Sequence, residues 1–216
     1  FKRIYIKRIS KFNHIIANSN YTKNKLSKFI KKKILVIYPP IENFGYNKKG
    51  KYFLSNSRHE IDKNIDKIIS AFNNNKKYRL LITSKGSETK RLKKLAGSNN
   101  KIIFLGLKSK NEYKKILANC ISTINVGENE DFGMSAIETM AAGKPPIVVN
   151  AGGYKETCKN NYNNFFLNKK NIEKDLNQML KKFNQSKFIK LHSNCIKTSK
   201  RFDSKNFKKN LYNLFI

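Results

Sequence analysis

Two glutamates with seven residues between them, Glu130 and Glu138, bracket the dipeptide Phe132-Gly133. An apolar run at residues 120–126 precedes them and reads as a buried strand. Residues 135–142 are good helix formers and stop at Gly143, a natural residue for the position just past a helix. The unit is strand, acidic loop, helix. Such a helix start turns free backbone N–H groups and a partial positive charge toward the loop, where phosphate is readily held. Glu138 falls in the second turn of the helix and Glu130 in the loop at its mouth. Two carboxylates beside an anion-binding helix end suit a ligand with both phosphate and hydroxyl groups, as a nucleotide sugar has.

Acidic residues near a helix start also serve the helix dipole in proteins that bind nothing, and an isolated Glu138 would read as a solvated surface residue. The charge distribution argues against that reading. No Lys or Arg occurs between Lys115 and Lys144, in a chain otherwise saturated with Lys. Glu128, Glu130, Asp131 and Glu138, four of the 14 acidic residues, fall in that gap. The loop is kept free of the chain's own cations, and something else is expected to supply its positive partners.

The spacing of Glu130 and Glu138 resembles the paired-glutamate motif of the retaining family-four glycosyltransferases of GT-B fold. Phe132-Gly133 and Ala141-Ala142-Gly143-Lys144-Pro145 stand where that family has its Phe-Gly and its small-residue-Gly-Lys/Thr-Pro segment. Gly152-Gly153 and Glu156 are similar to the Gly-Gly-x-x-Glu turn that follows. Upstream, Arg58 and Lys63 lie after a strand at residues 52–55. That is the carboxyl edge of a doubly wound sheet, where ligands bind. The family has an Arg and, five residues on, a Lys in this register. Ser57 replaces the usual preceding Gly, and His59 an apolar residue.

The resemblance implies roles. Arg58 and Lys63 would bind the donor diphosphate and stabilise it as a leaving group. Glu130 would hold the transferred sugar and Glu138 the ribose hydroxyls. Backbone donors would come from Gly133 and Met134 at the helix start, with Phe132 and Ser135 beside them. The turn at Gly106-Leu107-Lys108 would border the base. Such enzymes retain anomeric configuration without a required metal or cofactor, since the cations do what a divalent ion does elsewhere. The donor would be a nucleotide-diphosphate sugar and the acceptor a glycan or a lipid-linked acceptor.

The elements that position these residues alternate along the chain. Strands are expected at 79–83, 102–105, 120–126, 147–149 and 165–167, with helices at 63–74, 88–96, 111–118, 135–142 and 172–183. The pattern is that of an α/β, Rossmann-like doubly wound parallel sheet. The helix at 63–74 carries Ile65, Ile68, Ile69 and Phe72 on one face. Residues 1–40 (a basic helix at 1–10, a strand at 14–17, a helix capped by Ser19 or Asn20, a strand at 34–38, then Pro39-Pro40) are expected to be the tail of an acceptor-side N-terminal domain and hinge. Residues 41–200 would be the nucleotide-sugar-binding domain, and 201–216 a helix crossing back. Residues 1–40 and that helix are expected to pack together on one side. The chain begins with Phe1, and is expected to be a fragment, a processed product or a chain whose start is missing.

The 216 residues include 46 Lys+Arg against 14 Asp+Glu, a net charge of +32, and only six of the 46 are Arg. With abundant Asn, this reads equally as a compositional bias and as a surface that attracts anionic lipid or polyphosphate. No Arg-rich tract or nucleic-acid motif occurs, so nucleic acid is not an expected partner. Cys120, Cys158 and Cys195, odd in number and widely spaced, read as reduced thiols. The expected location is the cytoplasm, with peripheral contact at the cytoplasmic membrane face. Isolated His14 and His192 read as structural. The competing function is a non-catalytic GT-B-like scaffold that uses its basic surface on an anionic polymer or membrane. Arg58, Lys63, Glu130 and Glu138 together favour the transferase, because a scaffold has no need of them.

Overall fold

A computed structural model of the protein describes residues 2–9, 11–42, 44–75 and 77–214. Phe1, Ser10 and Phe215, at the ends of the expected first and last helices, lie outside them.

The chain opens with helix α1 (Lys2–Ile9), strand β1 (Ile15–Ala17), helix α2 (Asn20–Leu26) and strand β2 (Ile34–Val36). β1 and β2 pair in parallel as a small separate sheet over Ile15, Ala17, Ile30 and Ile34. The main sheet comprises β3 (Tyr52–Ser55), β4 (Leu80–Thr83), β5 (Ile102–Gly106), β6 (Cys120–Asn125), β7 (Ile147–Val149) and β8 (Phe165–Leu167). Its order is β5-β4-β3-β6-β7-β8, with every pairing parallel. The order reverses between β3 and β6, so a crevice must open there at the carboxyl ends of the strands.

Short runs of Ile, Leu, Val and Phe make these strands because the sheet is covered on both faces. Successive residues of β3 divide between the layers: Phe53 packs with Ile65, Ile68, Ile69 and Phe72, and Leu54 with Leu81, Leu117 and Cys120. The first group includes the apolar face of α3 (Ile65–Asn73), as its spacing predicts. The second lies under α5 (Lys110–Asn119), a helix started by a capping box of Ser109 and Glu112. α4 (Thr89–Ala96), α6 (Met134–Ala141), α7 (Tyr154–Thr157) and α8 (Ile172–Lys181) complete the doubly wound unit. All three cysteines are free and buried. Among the described residues no helix is long and apolar enough to cross a membrane.

The structure differs from the sequence reading in three places. The helix expected from Lys63 begins at Ile65, and Lys63 closes a single 3-10 turn, Ile61–Lys63. Between them Asn64 is left-handed, with φ 51°, and its side-chain amide donates to the Val126 carbonyl at 3.2 Å. Asn tolerates that backbone, and the bond ties it to the loop after β6. Next, two helices occupy a stretch on which the periodicity is silent: α9 (Gln185–Lys190) and α10 (His192–Ser199), the latter packed on α6. Finally, the last helix, α11 (Ser204–Tyr212), buries none of its residues. The two crossing segments meet just before it, where Ile41 N–H donates to the Phe202 carbonyl at 2.8 Å and Tyr38 packs edge-on against Phe202.

Candidate active site

The crevice at the switch point is a cleft of about 340 Å³ lined by Asn56, Ser57, Arg58, Lys63, Tyr113, Glu130, Met134, Ser135 and Glu138. Residues far apart in sequence converge because the loops after β3 and β6 leave neighbouring strands on the same edge. All four charged residues expected from the sequence line it, as do Met134 and Ser135.

The cations come from the β3 side. Arg58 is exposed and has no ion-pair partner among the described residues. Lys63 is mostly covered, with its ammonium 3.5 Å from Glu130 Oε2 and 3.3 Å from Asp62. The segment between them is fixed by His59, only 1% exposed, whose Nε2 lies 3.1 Å from the Thr83 carbonyl and Nδ1 2.9 Å from the Thr89 hydroxyl. Burial lowers the His59 pKa, so the ring is neutral at neutral pH with Nε2–H as donor. Ser57 finds its own use. Its hydroxyl donates to Asn125 Oδ1 at 3.0 Å, and the Asn125 amide donates to Thr123. Thr123 bonds Thr139 at 2.7 Å, and Thr139 donates to the Ser135 carbonyl. This chain of neutral bonds runs beneath the cleft from one wall to the other.

The β6 side is anionic. Glu130 Oε1 accepts the Gly133 N–H at 3.3 Å, while Oε2 faces Lys63. The N–H groups of Met134 and Ser135, next along α6, have no acceptor among the described residues. Gly133 itself needs φ 88°, and a Cβ there would lie 2.7 Å from the buried Tyr154 ring. Glu138 accepts from the Tyr113 hydroxyl at 2.8 Å through Oε2. Burial pushes the Glu138 carboxyl above its ordinary pKa, against the lowering effect of Tyr113. Beneath the cleft, Ser55 Oγ and Asn56 Oδ1 are buried without a partner among the described residues.

The Glu130 loop is clamped from behind. The Ser19 hydroxyl, which caps α2, donates to the Asp131 carbonyl at 2.6 Å. Glu156 accepts from Asn20 N–H at 2.9 Å, the Asn20 amide at 2.7 Å and the Tyr38 hydroxyl at 2.6 Å through one oxygen, and from Tyr21 N–H at 3.2 Å through the other. Burial alone would raise its pKa, but the bonds from Tyr38, Asn20 and Tyr21 outweigh that and lower it. Tyr38 also stacks on Phe132 at 5.5 Å.

Four expected ligand-binding residues stand outside the cleft. Phe132 is 2% exposed, its ring packed among Tyr38 and Phe202, so it anchors the loop rather than facing the cavity. Gly133 is sealed beneath Tyr154. Gly106 ends β5 and Leu107 follows it, two strands from the switch point. Conversely, the expected set omits Tyr113, Asn56 and Ser57. Tyr113 shares helical spacing with Ile116 and Leu117 and so reads as core. Asn56 sits two residues from Arg58 on the same strand exit, and that position was the available signal.

The sequence profile of the family described as glycosyl transferases group 1 matches residues 39–202. The chain belongs to that family. An uncharacterized glycosyltransferase of Methanocaldococcus jannaschii is 30% identical, covering 87% of this chain and 55% of the relative. An alpha-1,3/1,6-mannosyltransferase of Dictyostelium discoideum is 28% identical over 67% of this chain and 46% of its own length. The chain thus spans about half the length of these curated relatives. A crystal structure of Anabaena HepE in complex with UDP and glucose superposes with TM-score 0.82 at 20% identity, over 99% of this chain and 66% of that one. That likeness establishes the GT-B type of fold for this group 1 chain.

Proposed function

We propose that this chain forms the donor-binding half of a retaining glycosyltransferase that moves a sugar from a nucleotide-diphosphate sugar to a glycan or lipid-linked acceptor. One observation carries the reading: Arg58, Lys63, Glu130 and Glu138 meet in one cleft at the open N–H end of α6. The HepE structure, with UDP and glucose bound, supports a ligand of this class.

In this reading the diphosphate lies between Arg58, Lys63 and the N–H groups of Met134 and Ser135. It competes with Glu130 for Lys63, and so frees that carboxylate for the hydroxyls of the sugar. Breaking the bond from the anomeric carbon to the diphosphate sends the electron pair onto the phosphate oxygen, where Arg58 and Lys63 stabilise it. The acceptor oxygen bonds to the same face of that carbon, which preserves configuration, and its proton passes to the departing phosphate oxygen. Glu138 accepts from the ribose. The positive charge is supplied by side chains, and the proposal includes no metal or cofactor. A further N-terminal domain or a partner chain supplies the acceptor side. The net charge of +32 suits peripheral attachment to an anionic membrane face in the cytoplasm.

Calorimetric titration with UDP, GDP and ADP tests the proposal. At least one diphosphate should bind the parent chain, and Arg58→Ala should weaken it by ~1.5–3 kcal/mol, the range for a hydrogen bond to a charged group. Equal affinity of variant and parent would overturn the diphosphate assignment.

A further inference from the structure

Tyr113 lines the cleft from α5, on the side of the sheet away from α3. Its hydroxyl accepts from the Asn56 amide at 2.6 Å and donates to Glu138 Oε2 at 2.8 Å. Phe44 meets the ring edge-on at 6.3 Å. Burial, then the neighbouring Glu138 charge, push the phenol pKa far up, so the group stays protonated. With its one proton committed to Glu138 and its lone pair to Asn56, the hydroxyl has a single orientation.

Glu138 is thereby divided. Oε2 is occupied, and Oε1 has no hydrogen-bond partner among the described residues. A carboxylate with both oxygens free rotates about its last torsion and must be ordered on binding. A pinned one is ordered beforehand, which reduces the entropy lost when a ligand arrives. We infer that Tyr113, fixed by Asn56, is a positioning residue that leaves one oxygen of Glu138 to a single ribose hydroxyl and so sets a preference for ribonucleotides over dideoxyribonucleotides. The inference rests on the donor-site reading of Glu138.

A packing role and a positioning role part at the pH profile. Arg58, Lys63 and Glu130 face Glu138 across the cleft, Tyr113 faces it from α5 and Glu42 adds a like charge nearby; Met134 and Ser135 on its own helix are uncharged. Removing only the phenol oxygen withdraws a hydrogen bond that lowers the Glu138 pKa and leaves burial opposing the charge. Ribonucleotide affinity should then begin to fall at a higher pH than in the parent.

The test is calorimetry with UDP, GDP and ADP, their 2′,3′-dideoxy analogues and inorganic diphosphate, on the parent, Tyr113→Phe and Asn56→Ala. In Tyr113→Phe, ribonucleotide affinity should drop roughly 3- to 10-fold, the equivalent of one hydrogen bond. Dideoxy analogues and inorganic diphosphate should bind as before, and the acid limb should shift upward. Asn56→Ala should move the ratio the same way by less, and it decides the question if Tyr113→Phe does not fold. A ribo-to-dideoxy ratio equal to the parent's in the folded variant would overturn the assignment while leaving the donor site intact. A parent chain that binds none of the three diphosphates would overturn the donor-site reading, and this inference with it.

Discussion

Glu138 and Glu156 are both half-buried carboxylates on short helices that follow neighbouring strands, yet their surroundings are opposites. Glu156 has donors on both oxygens, all from residues 20–38, and its pKa is lowered. Glu138, which lines a cavity, has one donor and one unpartnered oxygen among the described residues, and a raised pKa. A carboxylate whose acceptors are all used ties parts of a chain together. One that is desolvated but only half bonded costs stability at neutral pH, and is best explained by a ligand that completes it. Motif recognition finds both residues; only the hydrogen-bond census separates their purposes.

The largest expected effect is on the tie. Glu156→Ala should lower stability by ~2–3 kcal/mol, since it strips charge-assisted bonds from Asn20, Tyr21 and Tyr38, and thermal unfolding would read this as a Tm fall of several degrees. A change within ~0.5 kcal/mol, the range for ordinary surface substitutions, would make Glu156 another solvated residue. Because its folded pKa is lowered, its contribution is present above the unfolded pKa of about 4.5. It is lost as pH falls through the folded value, so the acid-unfolding curve of the variant should lack that component.

Glu138→Gln should behave in the opposite way. Its raised pKa means that ionisation costs folding free energy at neutral pH, and that this cost disappears as pH falls through the folded value. The variant should therefore be as stable as the parent or more so at pH 7, with the difference vanishing in acid, while nucleotide affinity falls by ~1–2 kcal/mol. Loss of stability at pH 7 without loss of binding would erase the contrast between the two glutamates.

The smallest effect is expected at His59. Its pKa is lowered by burial, so the neutral ring stabilises the Arg58 segment fully above the unfolded value of about 6.5 and the stability declines as pH falls below it. His59→Asn should flatten stability between pH 7 and 5. An unchanged slope would place that pH dependence on another group.

The parallel sheet was legible because its strands are unbroken apolar runs and its helices carry one apolar stripe, as in Ile65, Ile68, Ile69 and Phe72. The charged wall of the cleft was legible because Arg58, Lys63, Glu130 and Glu138 stand in the order and spacing of a known family's motif, two of them after one strand and two around the start of one helix. Tyr113 was not, since an aromatic on an apolar helix face has the pattern of core whatever its hydroxyl touches. Neither was the turn at Lys63. A left-handed Asn64 held by a carbonyl from another loop is a tertiary fact with no local period. The helices α9 and α10 escaped because their mixed Asn, Lys and Ser content weakens any stripe.

The bonds linking Ser57, Asn125, Thr123, Thr139 and the Ser135 carbonyl join only uncharged groups and lie largely out of water. Ions in solution screen charge over ~8 Å at physiological strength but have nothing to screen in such a chain. Rising ionic strength should therefore weaken the capture of a phosphate by Arg58 and Lys63 while the distance between the two walls stays fixed. The site would lose its pull before its shape, and dilution would restore it without refolding.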